Sequence, residues 1–402
     1  MIYYGREIPK DFQVPGFKWS GVACGVKDPG QLDLALIFSE TPCTGVGFFT
    51  TNKIKAAPVL LTRKRLADGR AQAVIINSGN ANAATGKRGM QAASSMAGWA
   101  AERLGVPPGR MLVCSTGRIG LALPLVPIRA GIGPLASSVS ALGYRDAAEA
   151  IRTTDRYAKL VAASLILGGK RARFLALAKG AGMIKPGLAT MLSFTVTDLN
   201  VGREALRKSF KEAVDASYNC ITVDGQRSTN DTVLIMANGL AGNRPPQRPE
   251  ELSKLSRLLA RMHLVLAKSI VRDGEGASKL LHIRVVGAAS AAQARRAAYA
   301  VGESSLVKAA FFGEQLNWGR IVSALGATGI RIIPEGIDVR IGGRKVVRGG
   351  MGISLDRERA AARALKRNEI EVMIDLNIAD GEANVYASDL TYDYVKLNAG
   401  HE

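Results

Sequence analysis

A hydroxyl at the mouth of a strand, approached by glycines and small residues, is an arrangement from which a nucleophile can be made. The stretch Lys179-Gly-Ala-Gly-Met-Ile-Lys-Pro-Gly-Leu-Ala-Thr190 offers one and runs into the apolar, β-branched segment 191–197. Gly180, Gly182 and Gly187 admit backbone conformations that other residues resist, Pro186 stiffens φ, and Ala189 leaves the carbonyl before Thr190 uncrowded. Such a chain can hold a strained peptide bond next to a hydroxyl. As a bare pattern it reads first as a glycine-rich turn between two strands.

Other loops carry complementary chemistry. In Ser115-Thr-Gly117, Thr116 and Gly117 can present a hydroxyl and a backbone N–H side by side, which is what an oxyanion hole requires. The run Asn77-Ser-Gly-Asn-Ala-Asn-Ala-Ala-Thr-Gly86 follows a strand and precedes a helix, so its amides can face an anion; Asn and Gly also make ordinary turns. Asp273-Gly-Glu-Gly-Ala-Ser-Lys279 holds two acids without a further metal-ligand pattern, and Glu275 is suited to receive an α-amino group. Only His263, His282 and His401 occur, none within a motif, which disfavours a Ser-His-Asp triad. Cys24, Cys43, Cys114 and Cys220 lack zinc-site spacing and read as small core residues of a reducing compartment.

The elements that must carry these loops alternate between strand and helix. Strands are expected over 14–25, 35–50, 57–63, 73–76, 191–197, 232–236, 280–286, 337–341, 369–376 and 382–387. Helices are expected over 90–104, 136–150, 203–216, 250–271, 291–301, from Asn317 onward, and over 356–366; the span 159–177 reads as a helix end mixed with a strand. This alternation in both halves points to an α/β architecture with sheets covered by helices. Three prolines make 242–251 the best linker.

With 402 residues, 47% hydrophobic and 22% charged, the composition is that of a globular protein large enough for two domains. No apolar run is long enough for a membrane span, and the N-terminus lacks a signal-peptide pattern, so a cytoplasmic protein is expected. The net charge of +20 is uneven. Residues 1–189 carry 25 Lys and Arg against 10 Asp and Glu, net +15, which leaves 29 against 24, net +5, for 190–402. Few aromatics accompany the basic residues, so the charge reads as a solvated surface or as steering for a small anion rather than as a nucleic-acid footprint.

Taken in order, the loops form a set. Asn77-Ser-Gly-Asn-Ala-Asn-Ala83, Ser115-Thr-Gly117, Thr153-Thr-Asp155, Lys179-Gly-Ala-Gly-Met-Ile184, Ala189-Thr-Met-Leu192, Thr222-Val-Asp-Gly225, Ser228-Thr-Asn-Asp231, Asp273-Gly-Glu-Gly-Ala277, Asn317-Trp-Gly-Arg320 and Asp393-Tyr-Val-Lys-Leu-Asn398 closely resemble the ornithine acetyltransferase family of arginine biosynthesis. The resemblance spans nearly the whole chain. It implies a self-processing fold of mixed sheets stacked and covered by helices (αββα-like), cut at Ala189–Thr190 into an α chain (1–189) and a β chain (190–402). Thr190 Oγ would attack the Ala189 carbonyl, an N-to-O acyl shift would give an ester, and hydrolysis would free Thr190 with an α-amine able to act as base for its own hydroxyl.

The resemblance further implies ping-pong transfer of acetyl from N-acetylornithine to glutamate through an acetyl-Thr190. No cofactor is expected, although acetyl-CoA can enter as a second donor if the enzyme is multifunctional. Thr116 and Gly117 match the oxyanion hole; Lys179 matches the carboxylate-binding lysine and Thr154 a substrate-binding threonine, with Thr153 as the other choice. Glu275 would hold the amine or amide side and Asn398 would close the pocket. The two chains would stay together as a heterotetramer of two α and two β. The sequence departs from the family at Ala84, Arg156, Gly187, Gln315-Leu316 and in ending four residues after Asn398, which touches substrate binding rather than the nucleophile. Two alternatives remain: an N-terminal-nucleophile amidohydrolase or aminopeptidase in which water replaces glutamate, and a basic nucleic-acid-binding protein on an inactive scaffold.

Overall fold

The computed structural model describes residues 1–185, 191–353 and 361–400. Ala189, Thr190 and Gly187 lie outside the described residues, as does the first part of the helix expected over 356–366. The described chain divides into two compact units: Met1–Gly180 with Gly187–Asn219 and Arg227–Ile270, and Ala181–Pro186 with Cys220–Gln226 and Val271–Glu402. The stretch 242–251 falls within the first. Each unit holds one mixed sheet with helices packed on it.

The first unit contains β1 (Ile2–Tyr4), β2 (Phe17–Val22), β3 (Leu34–Phe49), β4 (Arg70–Asn77), β5 (Met111–Ser115), β6 (Lys159–Leu167), β7 (Lys170–Lys179) and β8 (Leu192–Thr197); β9 (Ile221–Thr222) belongs to the second, and β10 (Thr232–Ala237) returns to the first. Their order is β1-β6-β7-β8-β10-β3-β4-β5, with β2 also on β3. β3 is the spine, because its first half pairs with β2 on one edge and β4 on the other, and its second half pairs with β10. Alternation along it sorts side chains by face. Leu34 and Leu36 pack with Ile75, Val113 and the helix Gly86–Leu104, whereas Ala35 and Ile37 pack with Val74, Trp19 and Tyr144.

The helices of this unit are α1 (Ala57–Arg65), α2 (Gly86–Leu104), α3 (Leu125–Ser137), α4 (Tyr144–Ala150), α5 (Arg203–Asp215) and α6 (Pro249–Arg272). α2 buries Ala92, Ala93, Met96, Ala97, Ala100 and Ala101 at helical spacing and stops at Gly105, whose φ of +64° suits a left-handed cap. It makes the crossover that the parallel pair β4–β5 needs.

Three expectations are corrected. The segment 57–63 is helix rather than strand: Pro58 pre-sets the first turn, and Thr62 docks on β5, its hydroxyl donating to Val113 O (2.6 Å) and accepting from Val113 N (2.9 Å). The span 159–177 is a two-strand hairpin, turned at Gly168 and Gly169 with φ of +54° and +84°, and the basic residues of β7 start its exposed positions. The helix expected over 136–150 is split, because Gly143 lies where a Cβ would meet Trp19 O at 2.3 Å and Ser140 exchanges backbone bonds with Trp19.

Beneath this sheet His263 of α6 sits fully buried, sharing its Nδ1 with Tyr218 OH (2.9 Å), which also meets Ser193 Oγ (2.9 Å). Burial pushes its pKa down to about 3, so the ring is neutral and structural. Its stabilising contribution is complete above the unfolded value near 6.5 and is lost as pH falls from there toward 3. We expect denaturant midpoints to fall between pH 7 and pH 4 by an amount worth a few kcal/mol, about the size linkage gives for such a shift, and His263→Gln to flatten that fall.

The second unit has the order β14 (Met351–Gly352), β13 (Arg344–Arg348), β12 (Asp338–Ile341), β15 (Glu369–Asp375), β11 (Leu280–Ala288), β16 (Gly381–Ser388), β9. Helices α7 (Ala291–Glu303), α8 (Ser305–Phe312) and α9 (Trp318–Gly326) cover it, with Ala294, Ala297, Ala298 and Val301 of α7 facing Ile283, Val285 and Val385.

Candidate active site

Sheet register in the first unit sets up one row of residues. Lys179 pairs with Leu192, Leu192 with Thr232, and Thr232 with Phe49. The end of β7 therefore lies beside the start of β8, immediately after Met191, and the start of β10 lies on the other side of β8. The ends of β4 and β5 pair as Asn77 and Ser115.

Lys179 is 3% exposed, and its ammonium donates to Thr153 Oγ1 (2.7 Å) and Thr116 Oγ1 (3.1 Å). By occupying a lone pair of the Thr116 hydroxyl, it leaves the O–H free to donate, which is the polarity an oxyanion needs. Thr154, next to Thr153, is exposed. Asp155 holds the cluster from below. It accepts from Lys159 (2.7 Å) and the Gly180 amide (2.6 Å), and its other oxygen lies 4.0 Å from Lys179. Burial opposes ionisation of Asp155, but the charges of Lys159 and Lys179 with these hydrogen bonds outweigh it and keep the carboxyl well below its usual range.

Further positive charge lies close by. Lys27 donates to Arg152 O (3.0 Å), and burial first, then repulsion from Arg152 and Lys179, lowers its pKa. Such clustering concentrates positive potential, which favours anions in general.

Gly117 is held by shape. Its φ is +132°, and a Cβ there would meet Gly79 C at 2.2 Å and Asn80 N at 2.5 Å. The asparagine-rich loop is what presses against it. Thr116 N donates to Asn77 O (3.0 Å) and Arg118 N to Gly79 O (3.2 Å), while Ser115 Oγ donates to Asn77 Oδ1 (2.6 Å) and Asn77 Nδ2 to Asn80 O (2.8 Å). These contacts of the asparagine loop shape the Thr116–Gly117 turn.

Two residues that the sequence left without a role complete this unit's site. Asn230 Nδ2 donates to Ala81 O (2.6 Å) and Ser115 O (2.8 Å), tying β10 to both the asparagine loop and the turn at Thr116. Asp231 Oδ1 accepts the amide of Met191 (3.1 Å). The signal available was only a polar run, Ser228-Thr-Asn-Asp231, before a strand.

In the second unit Glu275 and Asn398 meet: Asn398 Nδ2 donates to Glu275 Oε2 at 3.0 Å. The C-terminal helix Tyr392–Ala399 brings this about. Its N-cap Thr391 accepts from Tyr394 N and donates to Gly276 O (2.7 Å), and Gly276, with φ of +66°, has room for no Cβ, which would lie 2.3 Å from Tyr394 N. The Glu275 amide donates to Ala181 O (3.0 Å), and the Met183 and Ile184 amides donate to Asp224, so the Gly-Ala-Gly loop is fixed at that end. Among the described residues no cluster of His, Cys, Asp and Glu could hold a metal ion, and no helix is long and apolar enough to cross a membrane.

Residues 18–402 match the profile of the ArgJ family. The chain belongs to the ArgJ family. The arginine biosynthesis bifunctional protein ArgJ of Symbiobacterium thermophilum is 49% identical over 390 residues, covering 96% of both chains. That of Geobacter sulfurreducens is 47% identical over 389 residues, covering 96% of this chain and 99% of the relative. A crystal structure of ornithine acetyltransferase complexed with ornithine from Mycobacterium tuberculosis is 38% identical over 46% of this chain and 98% of that one, with a TM-score of 0.42. The resemblance read from the ordered loops and the ArgJ match are the same assignment, and the α/β class with mixed sheets stands with it.

Proposed function

We infer that this ArgJ chain is a self-cleaving acetyltransferase of arginine biosynthesis, which cuts itself at Ala189–Thr190 and moves acetyl from N-acetylornithine to glutamate through an acetyl-Thr190. The observation that carries this reading is the pairing of a buried ammonium, Lys179, with the Thr116 hydroxyl, in the row of residues from which the chain continues as Met191. In each half-reaction Thr190 Oγ adds to a carbonyl, and the negative charge that forms on oxygen is met by the Thr116 O–H and the Gly117 N–H. Lys179, with a threonine of the 153–154 pair, takes the α-carboxylate of the amino acid. The hydrogen bond from Lys179 to the Thr153 hydroxyl supports Thr153 in that role.

Glu275 takes the amine or amide side, and Asn398 holds the Glu275 carboxylate in orientation. His263 is buried and neutral, which leaves the new α-amine of Thr190 as the base for its own hydroxyl. The processed chains stay associated, as two α and two β in the full assembly, and the enzyme works in the cytoplasm without a cofactor.

Three assays test the reading together. Acetylglutamate should form from N-acetylornithine plus glutamate, release of ornithine should depend on glutamate, and acetyl-CoA plus glutamate reports whether the bifunctional activity named for the relatives extends to this chain. Hydrolysis of N-acetylornithine that proceeds equally without glutamate would favour the amidohydrolase instead.

A further inference from the structure

The first unit gathers part of its basic excess around one hollow. Two cavities of about 590 and about 570 Å³ adjoin there, with Lys55 and Arg63 in the walls of both. The first is lined by β3 from Gly45 to Phe49, by Leu66 and Ala67 just after α1, and by Arg203 and Arg207 at the start of α5. The second adds Lys53 and is bounded by Thr85 and Gly86, where α2 begins with Lys87 and Arg88 and no acid in its first turn. Lys179, Thr116 and Thr153 line neither cavity.

Five cations thus border a concave surface, and among the described residues no Asp or Glu lines it. Asp68 and Glu204, next in sequence to lining residues, stand outside the walls. The groups that hold the cations are neutral. Lys55 Nζ donates to Asn52 O (2.6 Å), Arg203 Nη2 donates to Ala67 O (2.7 Å), and Arg207 lies over the Phe48 ring, 5.8 Å from its centre. An ordinary solvated surface intersperses both signs; like charges around a hollow focus positive potential, and an anion relieves their repulsion. Two of the guanidinium groups are also placed in advance. Arg207 is stacked on Phe48, and Arg203 runs across Gly69, where a Cβ would come 2.4 Å from its Nε.

The chemistry of the walls narrows the ligand. Planar guanidinium forks match phosphate oxygens in pairs, and five cations exceed what one carboxylate can neutralise. The volume is that of a small-molecule site, and Phe48, Phe49 and Leu66 give it an apolar side. We propose that these adjoining cavities bind a small ligand carrying two or more phosphates, at a site distinct from the Lys179 cluster. Inorganic pyrophosphate and nucleoside di- and triphosphates share that chemistry. The site holds whether or not Thr190 is the nucleophile.

Calorimetric titration of the purified protein with pyrophosphate, ADP and ATP, in about 0.1 M salt, tests it. We expect saturable binding of at least one of them with a dissociation constant below about 1 mM. Arg63→Gln/Arg207→Gln, at two exposed positions, should weaken it about tenfold or more, the loss expected when charged contacts to phosphate go. Arg257→Gln/Arg261→Gln removes the same charge from exposed positions of α6 and should change affinity by about twofold at most, because salt screens distant charges. If the first pair does not fold, Arg63→Gln alone should still weaken binding about threefold or more. Pyrophosphate binding as tightly as the nucleotides makes phosphate the whole determinant, and tighter nucleotides add the aromatic side; both support the site. Four results would overturn it: no saturable binding of any of the three; affinity unchanged in the Arg63 variants; an equal loss in the α6 pair; or displacement of the bound phosphates by saturating glutamate or ornithine, which would put them at Lys179. Single-stranded RNA binding more tightly than all three would also overturn it, in favour of a nucleic-acid surface.

Discussion

Thr190→Ala is expected to purify as one intact 42.5 kDa chain and to lose acetyl transfer by roughly ten-thousandfold or more. Both losses follow from one atom. The hydroxyl that opens the Ala189–Thr190 bond is the hydroxyl that later carries acetyl, and without the cut there is no α-amine to activate it. Described parts of the site should be untouched, because Lys179 bonds to Thr116 and Thr153 and pairs with Asp155. The variant should therefore melt cooperatively as a folded precursor. Intact-mass measurement and an ornithine-release assay check the two losses separately, and a variant that is both cleaved and active would remove Thr190 from the mechanism.

Gly117→Ala is expected to be the most damaging substitution that leaves every reactive group in place. The added Cβ would sit 2.2 Å from Gly79 C and 2.5 Å from Asn80 N, both backbone atoms, at a φ of +132° that side-chain-bearing residues rarely adopt. Neither neighbour can swing aside, since Arg118 N is bonded to Gly79 O and Asn80 Nδ2 to Ala122 O. The turn must move, and the Gly117 N–H moves with it. Loss of one oxyanion donor costs about 10²–10³ in kcat. We expect kcat for N-acetylornithine to fall by that order with KM little changed, and self-cleavage to slow as well. Thr116→Val, which removes the hydroxyl at nearly constant shape, should cost a similar factor, and unchanged kcat in both would place the oxyanion elsewhere.

What could be read in the sequence was mostly local. Apolar runs marked β3 and β10, and helical spacing marked the length of α6, because their side chains are the ones the core buries. The strand expected at 57–63 failed because an apolar run after a proline fits a strand or a helix start equally; Thr62 on β5 decides it. The hairpin at 159–179 was obscured by basic residues on its outward positions. In the site, hydroxyls, glycines and Lys179 could be named from their loops, but not their meeting. Lys179 and Thr116 are 63 positions apart, and Asn230 reaches Ser115 across 115, distances that only sheet register closes. Asp155 and Lys159 stand four apart, yet nothing in their sequence said that both are buried.

The covalent intermediate at Thr190 is what sets this mechanism apart. Wild-type protein incubated with N-acetylornithine alone, then denatured and weighed, should give two chains, with the one beginning at Thr190 heavier by a single acetyl group, and added glutamate should remove that mass as acetylglutamate appears. An uncut chain, or acetyl carried on any residue other than Thr190, would contradict it.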